Sequence, residues 1–219
     1  DFDLSITGEW GYNLNFTRKN MVPFVEKIFR VRNKFSDTTG IRFEYLQSTA
    51  KGYKITNDIK QWPNESSSRT FPLCGLGLEY KATANTNIYA NFSQAYRPIE
   101  YSQLEPFGLT LRIDPNLKDA KGFNTDLGYR GTVKNFLNFD IGGFYMAYNN
   151  RIGVVVQTDP LTGELYSVRK NIANSVHNGI ESYIEFNILK YLKTDSKSGL
   201  SVFNSFAYIN AKYTTAEFK

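Results

Sequence analysis

One cysteine and one histidine, Cys74 and His177, stand in 219 residues. A lone cysteine allows no disulfide within the chain, and one histidine cannot build the Cys/His cluster of a zinc site. The HExxH pattern is excluded for the same reason, and a Ser-His-Asp triad would have to use His177. That residue sits in Asn174-Ser175-Val176-His177-Asn178-Gly179, a polar strand entry, and reads as an ordinary surface or lumenal side chain. GxSxG, GxGxxG and P-loop patterns are missing as well. Gly75-Leu76-Gly77 lies inside a strand pattern, where glycine marks close packing or bending. Catalytic residues, metal ligands and a resident cofactor are all read as none, and the chain is read as a non-enzyme.

Long apolar runs are the second thing lacking. No window approaches the ~20 apolar residues that a membrane helix needs, and the mean hydropathy is −0.41. A membrane β-barrel is not excluded, because it carries its apolar face on every second residue. The net charge of +5 is too diffuse for a nucleic-acid footprint. Aromatic residues are abundant instead: 17 Phe and 15 Tyr, types that favour strands and mark barrel rims.

Alternation dominates the pattern. Phe29, Val31 and Phe35 alternate with Arg30, Arg32 and Lys34. Leu76, Leu78 and Tyr80 alternate with Gly77, Glu79 and Lys81, and Ile88, Ala90 and Phe92 with Tyr89, Asn91 and Ser93. Leu127 and Tyr129 alternate with Asp126, Gly128 and Arg130, and Ile180, Ile184 and Phe186 with Glu181, Tyr183 and Glu185. Cys74 shares the parity of Leu76 and reads as lipid-facing and inert. The residues between strands read as alternately long and short: 9–21 a long polar link, 36–40 a turn, 54–70 long, 82–86 short, 98–121 long, 131–135 short. Short periplasmic turns opposite long extracellular loops give this rhythm. Phe136 to Gln157 exceeds the ~9–11 residues of a membrane crossing, so the strands are expected to stand above the bilayer. Asp159-Pro160-Leu161-Thr162-Gly163 reads as an outer hairpin tip.

The fold class expected is all-β: an antiparallel transmembrane β-barrel, present as about nine strands. Asp1-Phe2-Asp3-Leu4-Ser5-Ile6 already reads as a strand, and both ends read as cut. A passive porin-type channel, an adhesin barrel and a soluble β-rich carbohydrate-binding module stay open on pattern alone.

Particular stretches carry a resemblance. They are Asn87-Ile88-Tyr89-Ala90-Asn91-Phe92-Ser93-Gln94-Ala95-Tyr96-Arg97-Pro98, Asp126-Leu127-Gly128-Tyr129-Arg130-Gly131, and Asn138-Phe139-Asp140-Ile141-Gly142-Gly143-Phe144-Tyr145 continuing to Tyr148-Asn149-Asn150-Arg151-Ile152. Asn171-Ile172-Ala173-Asn174-Ser175 before Gly179-Ile180-Glu181 belongs with them. Over residues 22–213 the chain resembles the barrel of TonB-dependent outer-membrane receptors, most of all the ferric dicitrate branch. The resemblance implies a 22-stranded barrel, with residues 1–219 forming part of it and the plug domain and C-terminal strands absent from this chain. It further implies a bacterial outer-membrane location and uptake of a ferric chelate or similar scarce nutrient. The implied partners are TonB, engaged through the N-terminal region, outer-membrane lipid and lipopolysaccharide, and the small-molecule iron chelate itself.

Capture of an anionic chelate calls for cations and hydrogen-bond donors near the outer rim, and arginine pairs with carboxylates in bidentate fashion. Gln94, Tyr96 and Arg97, with Asn149, Arg151, Gln157 and Arg169, are the candidate ligand contacts. Expressed alone without detergent, the 219-residue chain is expected to aggregate, because its strand edges and apolar face lack their partners. A water-soluble monomer that melts cooperatively would instead favour the soluble module.

Overall fold

The computed structural model describes residues 12–56, 59–62, 64–100, 111–193 and 198–216. The strand read at residues 1–6 lies outside them. Eleven strands form one sheet: β1 (Tyr12–Met21), β2 (Phe24–Val31), β3 (Phe35–Thr56), β4 (Ile59–Gln61), β5 (Asn64–Lys81), β6 (Thr86–Arg97), β7 (Leu111–Ile113), β8 (Ala120–Val133), β9 (Leu137–Thr158), β10 (Leu165–Asn187) and β11 (Ser201–Ala216). A short helix, α1 (Ile188–Leu192), lies between β10 and β11. The main path β1-β3-β5-β6-β8-β9-β10-β11 is an antiparallel meander of eight places. Among the described residues it is open along β1/β2 and along β11.

Register sorts the side chains into two faces, because residues directly opposite each other across a ladder share a face. One row runs Leu78, Ala90, Leu127, Gly143, Ile180, Tyr208. The row nearer the short turns runs Phe35, Tyr80, Ile88, Tyr129, Ile141. The opposite face carries Arg30, Ser36, Glu79, Tyr89, Gly128, Gly142 and Glu181. The expected apolar and charged faces are therefore real. Two charges fall in the apolar rows: Lys27, whose Nζ lies 4.8 Å from the Phe29 ring centroid, and Asp37, which accepts from Thr39 Oγ1 at 3.0 Å.

Burial tells which way round the sheet works. Among the described residues the buried hydrophobics are Leu46, Ala50, Leu73, Ile99, Ala120, Ala147 and Ala173, mostly small and mostly far from the short turns. Leu127 is 60% exposed and Ile180 53%. A water-soluble sandwich would press such rows against a second layer; here they form an uncovered band with aromatic contacts at two levels. Tyr129 meets Phe139 (ring centroids 5.1 Å) toward the short turns, and Phe92, Phe123 and Tyr145 follow one another at 5.8 and 5.9 Å higher up.

Several connections differ from the sequence reading. Residues 9–21 are not a polar link: from Tyr12 they are β1, paired with Tyr45–Lys54 of β3. Tyr12, Leu14 and Phe16 alternate there with Asn13, Asn15 and Thr17, but the stripe gives way at once to Arg18-Lys19-Asn20, so the polar composition outweighed it. Residues 36–40 are the start of β3, and the turn is Arg32-Asn33-Lys34, with Arg32 at φ 54°. Ser-Asp-Thr-Thr-Gly has turn chemistry, but its pairing with Glu26–Arg30 and Gly75–Glu79 outweighs local preference. The 54–70 loop shrinks to the surroundings of β4, because the β3–β5 ladder continues to Lys51 opposite Asn64. The turn placed at 131–135 is Lys134-Asn135-Phe136, with Lys134 at φ 47°. Past the stretch over which the rhythm was read, residues 188–200 form a long connection on the short-turn side. The tip at residues 159–164 is as expected, with Asp159 N–H donating to the Glu164 carbonyl (2.8 Å) and Gly163 at φ 75°. The long strands are confirmed: β3 and β9 have 22 residues each and β10 has 23.

Leu78→Arg in the full-length barrel is expected to cost ~2–4 kcal/mol near the bilayer midplane, where the guanidinium leaves water for hydrocarbon. Glu79→Gln, one residue on, is expected to cost under ~1 kcal/mol, because its ion pair with Arg130 is half-exposed. Unfolding of both variants in bilayers compares them, and equal losses would overturn the face assignment.

Candidate functional site

The polar face carries a connected network on its turn-side half. Arg130 donates from Nε to Asn87 Oδ1 (3.1 Å) and from Nη2 to Glu79 Oε2 (3.3 Å). Its guanidinium lies 4.9 Å from the Tyr89 ring centroid, and the Tyr89 hydroxyl donates to Asp140 Oδ1 at 2.9 Å. Tyr89 takes this path because Gly128 and Gly142 leave the sheet bare beneath it; a Cβ on Gly128 would overlap the ring. Asn91 reaches Asp126 at 2.7 Å on the same face. An open trough of about 1030 Å³ runs beside the network, lined by Gly40, Gly75, Gly77, Arg42, Glu79 and Arg130. His177 lies on this face opposite Met146 and contacts Ser175 Oγ at 3.2 Å.

The loop-side end is built differently. Asp119 closes the segment 98–119 at its base. One carboxylate oxygen accepts from Arg69 Nη1 (2.7 Å) and from the Ile99 N–H (2.8 Å), and the other from the Tyr96 hydroxyl. Arg69 also donates to the Ile99 carbonyl (3.1 Å), and Tyr96 packs on Phe71 with ring centroids 3.6 Å apart. The return of the segment is tied to β10. Asn171 presents its amide to Lys118 like a strand partner, accepting from Lys118 N–H and donating to Lys118 O, both at 2.8 Å. It also donates to the Asn150 carbonyl at 2.9 Å. Asn150 has φ 58°, and the β9–β10 register shifts between Asn171 and Ser175, so an irregularity in the ladder frees these amides. Higher up, β7 runs parallel to Ser167–Arg169 of β10. The outer tip adds Arg112, whose guanidinium lies 3.9 Å from the Tyr166 ring centroid and bonds Asp159 at 3.2 Å. The Leu161 N–H, with Arg112 and the Thr162 N–H, holds the Asp159 carboxyl below the usual carboxylate range.

The seven candidate residues all lie toward this end, in two groups. Tyr96, Lys121 and Asn149 stand side by side across β6, β8 and β9, with Gln94, Arg97 and Arg151 close by in sequence. Gln157 and Arg169 stand higher, Gln157 six residues beyond Arg151 on β9, which is ~20 Å along a strand. Several are already engaged. Gln94 Oε1 accepts the Cys74 N–H (2.9 Å), Gln157 accepts from Tyr166 (3.3 Å), and Arg169 has interactions of its own. Arg151 donates to Ser175 Oγ at 3.1 Å and lies 5.2 Å from the Tyr148 ring centroid. Arg97 is exposed. Among the described residues neither Arg97 nor Arg151 has a carboxylate partner, whereas Arg18, Arg69 and Arg112 are paired with Glu100, Asp119 and Asp159. Sequence reasoning missed Arg69, Asp119 and Asn171, which organise the rim. Asn149-Asn150 inside a strand was the one available signal, since asparagine tolerates the left-handed conformation.

Comparisons with known proteins agree with this architecture. The family model described as TonB dependent receptor-like, beta-barrel matches residues 2–219. The ferric-catecholate import receptor Fiu of E. coli K12 superposes with a TM-score of 0.66 at 14% identity, covering 95% of this chain and 30% of its own. The ferric yersiniabactin uptake receptor FyuA of Yersinia pestis gives 0.67 at 16%, covering 92% and 28%. The ferric citrate transporter FecA in its unliganded form gives 0.55 at 17%, covering 92% and 36%. The chain thus spans about a third of the length of the solved proteins it matches. Its open antiparallel sheet, banded on one face and charged on the other, is a section of barrel wall, and the chain belongs to the TonB-dependent receptor-like β-barrel family of the bacterial outer membrane.

Proposed function

We propose that the intact protein captures a ferric chelate or a similar scarce nutrient at the cell surface and takes it across the outer membrane. In this reading residues 1–219 are one part of the barrel, and the rest of the protein supplies the plug and the remaining strands. TonB engages the N-terminal region and supplies the energy. The task is recognition and passage, so no covalent step is required of these residues. Ferric dicitrate is the finer proposal for the cargo, and it rests on the sequence resemblance of the β6, β8 and β9 motifs.

One observation carries the proposal: Arg97 and Arg151 stand at the loop-side end without carboxylate partners among the described residues, where three other arginines are paired. The segments 57–63, 98–119 and 159–164 hold seven carboxylates against three cations. The cations of this end are thus borne on the strands rather than in the connections, and strand-borne arginines hold an anion through direct charge-assisted bonds. Tyr96 and Gln94 position the rim beside them rather than offering free groups.

Replacing either arginine by glutamine is expected to remove a charge-assisted bond of roughly 1.5–3 kcal/mol, on the order of 10- to 100-fold in affinity. A titration of full-length receptor with ferric dicitrate reads this, with barrel integrity checked by heat resistance in detergent. Unchanged affinity in an intact barrel would make both residues structural. Asp119→Ala is the comparison: it unties both ends of segment 98–119, so its expected signature is faster proteolytic cleavage within that segment.

A further inference from the structure

The connections at the turn-side end of the sheet are basic, and that end pairs its charge with exposed aromatic and aliphatic side chains. Among the described residues the connections 32–34, 82–85, 134–136 and 188–200 contain five cations, Arg32, Lys34, Lys134, Lys190 and Lys193, and no carboxylate. The turn side also holds the long connection 188–200, with α1 at its start. Asn187 caps α1 by accepting from the Lys190 N–H (3.0 Å), and its own N–H donates to the Phe136 carbonyl (2.7 Å), which locks α1 to the 134–136 turn. Phe136, Phe186 and Tyr191 then form a ring triangle with centroid separations of 5.7, 5.1 and 5.3 Å. Phe186 stands in the apolar row with Val133, Leu137 and Val202, so the triangle continues the lipid-facing band at its lower margin. Tyr191 is 58% and Leu192 70% exposed. Lys134 and Lys193 have no carboxylate partner among the described residues, whereas Lys190 lies within electrostatic reach of Glu185.

We propose that this corner is a binding site for the phosphate headgroup of an anionic phospholipid in the periplasmic leaflet, with Lys134 and Lys193 as the headgroup cations. Tyr191 and Leu192 enter the acyl boundary beside the headgroup, where amphipathic rings and apolar side chains are favoured. The proposal rests on the outer-membrane reading, in which the short turns face the periplasm. Each lysine near an anionic surface contributes ~1 kcal/mol, equivalent to about fivefold in lipid affinity.

The experiment uses full-length receptor in neutral detergent, titrated with phosphatidylglycerol and with phosphatidylcholine of the same acyl chains, bound lipid being counted by native mass spectrometry. Phosphatidylglycerol is expected to bind at least about fivefold more tightly, and the Lys134→Gln/Lys193→Gln variant is expected to lose that preference. Lys121→Gln, at the loop-side end of β8, is expected to keep it. Equal binding of the two lipids, or a preference that survives the double variant, overturns the site. Topology is read separately, from Ala84→Cys in a Cys74→Ser background exposed to an impermeant maleimide in intact cells. Labelling there places the short turns outside and overturns the outer-membrane orientation on which the proposal stands. Protection from labelling without a lipid preference overturns the lipid site alone.

Discussion

Hydrocarbon offers no hydrogen-bond partner to a peptide group, and each unpaired N–H or C=O there costs several kcal/mol. Nearly everything in this sheet follows from that constraint. Strands must be paired on both edges across the apolar band, so the ladders β5–β6, β6–β8, β8–β9 and β9–β10 run through it without a register shift. The irregularities lie beyond it: the positive-φ Asn150, the register shift near Ala173, and the end of the β5–β6 ladder at Gly75 and Ser93. Pro72 obeys the same rule. Phe43 directs its N–H to the Pro23 carbonyl (3.0 Å), so Phe43 and Pro72 oppose each other as a non-hydrogen-bonded pair. The donor that proline lacks is thereby aimed toward β6, where the ladder has already ended.

Above the band, water is available and side chains take over from the backbone ladder. Asp119 and Asn171 do there what strand pairing does below, fixing both ends of a long segment through backbone-directed bonds. Arg18, Arg69 and Arg112 are held there in ion pairs. What distinguishes Arg97 and Arg151 is what is missing around them, and that is a property of the assembled rim rather than of either residue's neighbours in sequence.

The barrel wall was legible in sequence wherever one face met lipid, because lipid enforces a period of two: Leu76–Leu78–Tyr80 and Ile180–Ile184–Phe186 needed no further information. It was illegible where strands leave the bilayer. In Tyr12–Met21 only Tyr12, Leu14 and Phe16 alternate before the polar run from Thr17 to Asn20, and the upper half of β3 is mostly polar, so composition resembled loop while ladder pairing made strand. Ser36-Asp37-Thr38-Thr39-Gly40 failed in the opposite way, with local turn chemistry overruled by two neighbouring strands. The rim was half legible. Arg97 and Arg151 were reachable from strand direction and residue type, but the Asp119 clamp joins residues separated by 20 to 50 positions, and no local pattern announces it.

Which face meets lipid decides every assignment of wall, lumen and rim. Nitroxide labels placed one at a time at residues 123–131 of β8, in full-length receptor in bilayers, measure it through oxygen and water-soluble nickel-chelate accessibility. Oxygen accessibility should peak at Phe123, Thr125, Leu127 and Tyr129 and fall at Asn124, Asp126, Gly128 and Arg130. An oscillation of inverted phase, or accessibility with no period of two, would contradict the account.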